Sequence, residues 1–283
     1  MIFSQHMLNR FIAQWLAEDV GSGDITTESI VPADYVTKAI IHAKQPGVLA
    51  GIAAAQAVFR YLSPEIEFAP ALQDGARLQP QSVIATVTGN ARAILTGERL
   101  ALNLLQHLSG IATKTATLVE LVKPQPVRVV DTRKTIPGLR LFEKYAVRIG
   151  GGANHRLGLY DAVLIKDNHI KVAGGIAAAI ELARGANSHT VKIEVEVETL
   201  AGVAEALAAQ ADIIMLDNMD LPTMRQAVKQ IGGRALVEAS GGIGEQTIAA
   251  VASTGVNIIS VGALTHSVQA LDISLDIGEI KGS

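Results

Sequence analysis

At 283 residues, with 49% hydrophobic and 18% charged side chains, the chain can bury one large or two modest cores and has the composition of an ordinary soluble globular protein. Its net charge of -3 excludes a general electrostatic footprint for nucleic acid or an anionic membrane, so any anion site must be local. The lack of cysteine excludes disulfides, thiolate metal sites and a cysteine nucleophile, and it fits a reducing cytoplasm.

Residues 1–20 contain no basic segment followed by an unbroken apolar core, so no secretory signal is expected. Leu8, Phe11, Ile12, Trp15 and Leu16 instead fall at helical spacing and predict an amphipathic helix packed on the protein. Residues 36–44 alternate like a strand, and Gln45-Pro46-Gly47 supplies a turn. The longest weakly polar stretch, residues 48–59, includes Gln56 and is too short to span a bilayer. Gln73-Asp74-Gly75 and Thr88-Gly89-Asn90 punctuate further short strands around residues 82–87. Thr96-Gly97-Glu98 then predicts the start of a helix through Leu100, Leu104, Leu105 and Leu108.

From Val127 onward a different rhythm sets in. Short β-branched runs at residues 127–130, 162–165, 191–195, 213–216, 235–239 and 258–261 alternate with Ala/Leu-rich helical stretches. The helix after the fourth run is marked by Asp220 as cap, Pro222 in its first turn and Gly232-Gly233 at its end. Such alternation predicts a parallel sheet covered by helices. A doubly wound dinucleotide-binding sheet is disfavoured, because no Gly-x-Gly-x-x-Gly follows the first run. The expected fold is therefore an α+β domain over residues 1–110, joined by an edge strand from residues 271–283, ahead of a (β/α) barrel over residues 111–270.

In a parallel barrel the site lies at the carboxyl ends of the strands. The residues ending the runs are Asp131 with Arg133 and Lys134, then Lys166, Glu196, Asp217, Ser240-Gly241-Gly242 and Gly262. Arg156, behind the Gly150-Gly151-Gly152 run and beside His155, adds a further cation. Four cations exceed what one phosphate needs, and guanidinium groups match carboxylates in bidentate geometry, so the pocket suits a substrate with several carboxylates beside phosphate. Ser240-Gly241-Gly242 and Gly262 stand where late-strand turns of a barrel receive phosphate; each is equally readable as a tight connection. Glu196 and Asp217 are candidates for ribose hydroxyls or Mg²⁺, or for neutralising the cations in a buried network. Lys166 admits a separate reading as the Schiff-base nucleophile of an aldolase-like lyase. Neither His155 nor His169 lies in a metal-binding pattern, and His107 reads as structural.

Taken together, Glu18-Asp19-Val20-Gly21-Ser22-Gly23-Asp24-Ile25-Thr26-Thr27, His107-Leu108-Ser109-Gly110-Ile111-Ala112-Thr113, Asp131-Thr132-Arg133-Lys134-Thr135, Asn154-His155-Arg156-Leu157-Gly158, Lys166-Asp167-Asn168-His169, Glu194-Val195-Glu196-Val197, Leu216-Asp217-Asn218 and Glu238-Ala239-Ser240-Gly241-Gly242-Ile243 resemble, in order, the motifs of the nicotinate-nucleotide pyrophosphorylase (carboxylating) family, also called quinolinate phosphoribosyltransferases. The resemblance runs from about residue 8 to the C-terminus. It implies an N-terminal α/β sandwich followed by an open α/β barrel, assembled as a cytoplasmic homodimer with no nucleic-acid or membrane partner. It also implies a reaction of quinolinate with phosphoribosyl pyrophosphate, assisted by Mg²⁺, giving nicotinate mononucleotide, pyrophosphate and CO2 in NAD biosynthesis. The family pattern places Arg133, His155, Arg156 and Lys166 at quinolinate, with Arg99 inserted by the partner subunit. Lys134, Glu196 and Asp217 fall around phosphoribosyl pyrophosphate as the catalytic set, Glu196 and Asp217 also holding Mg²⁺ directly or through water. Ser240, Gly241 and Gly262 fall on its phosphate turns. A molybdenum-transport-associated homologue shares the Thr-Arg-Lys-Thr and His-Arg-Leu-Gly elements, but the intact Lys166-Asp167-Asn168-His169 favours the quinolinate enzyme.

Overall fold

The computed structural model describes residues 3–280; the last three residues of the expected edge segment, 281–283, and residues 1–2 of the N-terminal stretch lie outside the described residues. The chain divides into two compact units, Met1–Thr113 with Val268–Ser283 and Lys114–Ser267, and the division falls within one long helix, Ala91–Val122.

In the first unit the helix Gln5–Asp19 buries Leu8, Ile12 and Leu16, the stripe its spacing predicts, and Ser4 caps it by accepting from the Met7 N–H. Its strands are β1 (Val36–Ala43), β2 (Gly47–Val48), β3 (Glu67–Pro70), β4 (Arg77–Leu78) and β5 (Val83–Asn90). After the second unit's strands β6 (Arg128–Val130), β7 (Val163–Ile165), β8 (Ile193–Val197), β9 (Ile213–Asp217), β10 (Leu236–Ser240) and β11 (Ile258–Ser260), the chain returns as β12 (Ile273–Ile277). The first unit's main sheet has the order β12-β1-β5-β3, with β12, β5 and β3 joined antiparallel, so the last strand occupies an edge beside β1.

The long helix begins at Ala91, directly after β5, and not at Thr96 as the Thr-Gly-Glu signal suggests. Asn90 supplies the start: its side-chain oxygen accepts from the Ala93 N–H at 3.1 Å, the work of a capping residue. Thr96 sits inside the helix, its hydroxyl donating to Asp24 at 3.1 Å. A hydroxyl followed by glycine and an acid imitates a cap, but here tertiary hydrogen bonding had claimed the threonine.

The second unit holds six parallel strands in the order β6-β11-β10-β9-β8-β7. The first strand of this series lies beside the last, as it does in a closing barrel, while β6 and β7 are the two ends of the sheet. That is a (β/α) barrel left open between its first two strands. A doubly wound sheet would instead reverse its order in the middle. Alternation along the strands divides outward from inward: Val195 and Val197 are buried between sheet and helices, and Glu194 and Glu196 take the opposite face. The covering helices have short, legible boundaries. Asp220 caps Leu221–Ile231 with its carboxylate on the Thr223 N–H at 2.8 Å, and Gly232 ends it at a φ of 57°. Among the described residues no helix is long and apolar enough to cross a membrane.

Candidate active site

The carboxyl ends of the barrel strands and the turns after them enclose a cavity of about 820 Å³ within the second unit. Arg133, Lys134, His155, Arg156, Lys166, Glu196, Asp217, Ser240, Gly241 and Gly262 all line it. Arg99 belongs to the first unit, where it is exposed on the helix Ala91–Val122.

The wall on the β6 side is held from beneath. Asp131, the first residue after β6, is fully buried and accepts from the Lys144 ammonium, from Asn154 Nδ2 at 2.6 Å and from the His155 N–H at 2.9 Å. Lys144 also donates to the His155 carbonyl at 3.0 Å. Burial raises the Asp131 pKa and lowers that of Lys144, each opposed by the partner's charge. Removing either partner would strand a buried charge, so this pair fixes the course of residues 154–156. It does so without lining the cavity, and Lys144, unlike Asn154, carries no sequence signal that singles it out.

Arg156 projects from that segment. Its Nη1 donates to the Ala162 carbonyl at 3.0 Å, but its Nε is buried with no acceptor. Burial, and then the charge of Arg133, pull its pKa below the ordinary guanidinium value. A buried N–H donor left unmet costs free energy, which an incoming carboxylate or phosphate oxygen would recover.

His155 is tied at both ring nitrogens. Its Nδ1 accepts from the Arg156 N–H at 2.7 Å, which puts the ring hydrogen on Nε2, 3.0 Å from Glu194 Oε2 and 3.7 Å from Glu238 Oε1. Burial disfavours a charged ring, yet the Glu194 hydrogen bond and the charges of Glu238 and Glu194 outweigh it and raise the His155 pKa. Burial and the neighbouring Glu194 push Glu238 up to about 8. Glu194 and Glu238 interrupt β-branched runs with an acid at an inward position, a signal that in hindsight marks them.

The opposite wall carries paired charges. Lys166, just after β7, is 44% exposed at its side chain and donates to Glu196 at 2.6 Å. Asp217 ends β9 and accepts from Asn218 Nδ2 at 2.8 Å. Asn218 has a φ of 52°, and the turn after β10 packs against it so closely that a Cβ on Gly241 (φ 105°) would stand 2.9 Å from the Asn218 nitrogen. Only glycine fits there. A Cβ on Gly262 would lie 3.1 Å from Lys134 Cδ, so the Lys134 side chain runs along the Gly262 turn. Thr265 holds this arrangement by donating its hydroxyl to the Lys134 carbonyl at 2.7 Å.

An open parallel barrel with basic side chains, carboxylates and glycine turns gathered at its strand ends defines an enzyme of the α/β-barrel class built to handle a multiply charged anion. The chain belongs to the quinolinate phosphoribosyl transferase family, whose N-terminal domain model matches residues 24–109 and whose C-terminal domain model matches residues 111–276. It is 47% identical to the "Probable nicotinate-nucleotide pyrophosphorylase [carboxylating]" of Bacillus subtilis, covering 95% of this chain and 93% of that protein. It is 42% identical to "Quinolinate phosphoribosyltransferase [decarboxylating] 2a, mitochondrial" of Nicotiana tabacum, over 93% of this chain and 80% of that one. The solved nicotinate-nucleotide pyrophosphorylase of Francisella tularensis superposes with a TM-score of 0.93 at 42% identity, covering 98% of each chain.

Proposed function

We infer that this protein catalyses the reaction of quinolinate with phosphoribosyl pyrophosphate to give nicotinate mononucleotide, pyrophosphate and CO2, a step of NAD biosynthesis. The observation that carries the reading is the buried, unanswered Nε of Arg156 in a cavity that also holds Arg133, Lys134 and Lys166. A pyridine dicarboxylate brings the paired carboxylate oxygens that such a wall is missing. The near-full-length relatives carry the activity in their names.

Arg133, Arg156 and Lys166 take the two carboxylates and set the ring so that its nitrogen faces ribose C1. His155, with both nitrogens engaged, acts through the backbone it fixes. Lys134, on the Gly262 turn, meets the pyrophosphate, whose phosphates rest on Ser240, Gly241 and Gly262. As the C–O bond to pyrophosphate lengthens, positive charge develops on the ribose, and Glu196 and Asp217 favour it from below. Catalysis then rests on alignment and charge stabilisation, with no covalent enzyme intermediate. After attack, the quaternised nitrogen stabilises the electron pair left at C2 as CO2 departs, and a proton from water then forms the C2–H bond of the product.

Mg²⁺ suits this site by the chemistry of its donors: Glu196 and Asp217 are carboxylates at neighbouring strand ends, and each spends an oxygen on a single neighbour, Lys166 or Asn218. Held there, directly or through water, the ion would offset charge on the departing pyrophosphate. The working form is a cytoplasmic homodimer in which Arg99 completes the partner's quinolinate site.

A Schiff-base lyase is the poorer reading, because Lys166 is partly exposed and ion-paired with Glu196 where that chemistry needs a desolvated amine. Incubation with quinolinate, phosphoribosyl pyrophosphate and Mg²⁺ should release nicotinate mononucleotide and CO2 in equal amounts, and nicotinate as sole pyridine substrate should give none. Turnover of nicotinate without quinolinate turnover would overturn the assignment.

A further inference from the structure

We propose that Glu194 and Glu238 are positioning residues for substrate-carboxylate binding, acting through His155 to set the backbone and guanidinium of Arg156. The inference rests on the quinolinate reading of the cavity, and its own support is geometric. Glu194 and Glu238 leave the inward faces of β8 and β10 and are 4% and 1% exposed. Each has one carboxyl oxygen, Oε1, that is buried without a hydrogen-bond partner. Their oxygens and His155 Nε2 gather within 4.8 Å of one another.

Acids in such a place are costly, and a fold keeps them only where they hold something. What they hold is the orientation of one ring. Glu194 accepts the Nε2 hydrogen, which leaves Nδ1 bare, and bare Nδ1 accepts the Arg156 N–H. Were Nδ1 to carry a hydrogen, that acceptor would be lost and the Arg156 peptide would have to turn. Glu238 adds a second carboxyl group at the same ring nitrogen, its Oε1 3.7 Å from His155 Nε2. Both carboxyl groups bear on His155 Nε2 and its Nδ1 bears on the Arg156 N–H; of the four, Glu238, His155 and Arg156 line the cavity.

The test measures KM for each substrate and kcat in purified full-length variants, alongside thermal unfolding. Glu194→Ala and Glu238→Ala should raise the quinolinate KM by about tenfold or more, because a loosened support displaces the ligand it carries. The KM for phosphoribosyl pyrophosphate should stay within about threefold. Glu194→Gln still offers the imidazole an acceptor and Glu238→Gln keeps a polar side chain of the same shape beside it, so both should stay within about threefold of the parent. Glu194→Ala added to Arg156→Ala should cost no further quinolinate affinity, since its effect passes through that arginine. Ring ¹⁵N spectra of the parent should show His155 as the Nε2–H tautomer. Equal loss for both substrates, Gln variants as impaired as the Ala variants, an additive double variant, or an Nδ1–H ring would each overturn the proposal. Should the Ala variants fail to fold, the Gln variants and the ring spectrum decide it. A parent protein that does not turn over quinolinate would refute the functional reading instead, with the tautomer still measurable.

Discussion

Arg133 and Arg156 carry the same charge into the same cavity, yet their surroundings assign them different weight. Arg133 is exposed, so water screens its pull on a ligand, and its removal leaves no buried group behind. Arg156 is partly buried, fixed by Ala162 through Nη1 and left with an unanswered Nε. A carboxylate that binds there gives up water and must find that guanidinium. Arg156→Ala should therefore weaken quinolinate binding by about 2 to 5 kcal/mol, the scale for truncating one partner of a buried charge pair. Arg133→Ala should cost less, and both should affect quinolinate more than phosphoribosyl pyrophosphate. Calorimetric titration of each variant with each substrate checks the order; a larger loss from Arg133→Ala would mean that the exposed arginine turns inward when ligand binds.

Elements in the first unit are joined by few, specific devices, and two of them can be broken selectively. Asp24 caps the helix Ile25–Ile30 by accepting from the Thr27 N–H at 3.0 Å and takes the Thr96 hydroxyl at 3.1 Å. Hydrogen bonding to Thr27, with Thr96 adding to it, lowers the Asp24 pKa. A carboxylate whose folded pKa is depressed contributes stability above its unfolded value and loses it as pH falls through the folded one. Asp24→Ala should thus cost about 1 kcal/mol in denaturant unfolding at neutral pH, and the gap to the parent should close as acid protonates the parent's cap. Gly110 is the second device: a Cβ there would stand 3.1 Å from the Gln269 carbonyl carbon and 3.3 Å from Ala270 Cα. Gly110→Ala must push the returning segment away and should destabilise by about 1 to 3 kcal/mol, read from the same unfolding curves. Periodicity made most elements legible: the β-branched runs became β6 to β11, and Asp220 and Gly232 bound their helix as capping rules require. Contacts distant in sequence were not. Nothing local distinguishes Lys144 from the other residues of its helix, and the motif that includes Gly110 gives no local reason for its being glycine, because what defines the two is Asp131 and Gln269 arriving from elsewhere.

For the molecule as a whole, the site was legible wherever a strand end placed it, from Arg133 to Gly262, because topology converts the last residue of each run into a wall of one cavity. Arg99 escapes that logic. It lies in the other unit, on an exposed turn of the helix Ala91–Val122, and only the family resemblance gives it a role. If its role is to complete the site of a second copy, an Arg99→Ala homodimer has two sites that each lack the inserted arginine. A Lys134→Ala homodimer has two sites that each lack the pyrophosphate-side cation. Subunit exchange between them yields a heterodimer in which the Lys134→Ala subunit lends Arg99 to the intact pocket of its Arg99→Ala partner, while the reciprocal pocket lacks both groups. One working site in two is restored, so a fully exchanged mixture, half of it heterodimer by chance pairing, should approach about a quarter of parent activity. The assay mixes the two proteins under conditions where labelled subunits demonstrably exchange and follows CO2 release. Activity that stays at the sum of the two separate variants, with exchange verified, would place Arg99 outside the partner's site and leave each protomer to bind quinolinate with its own barrel alone.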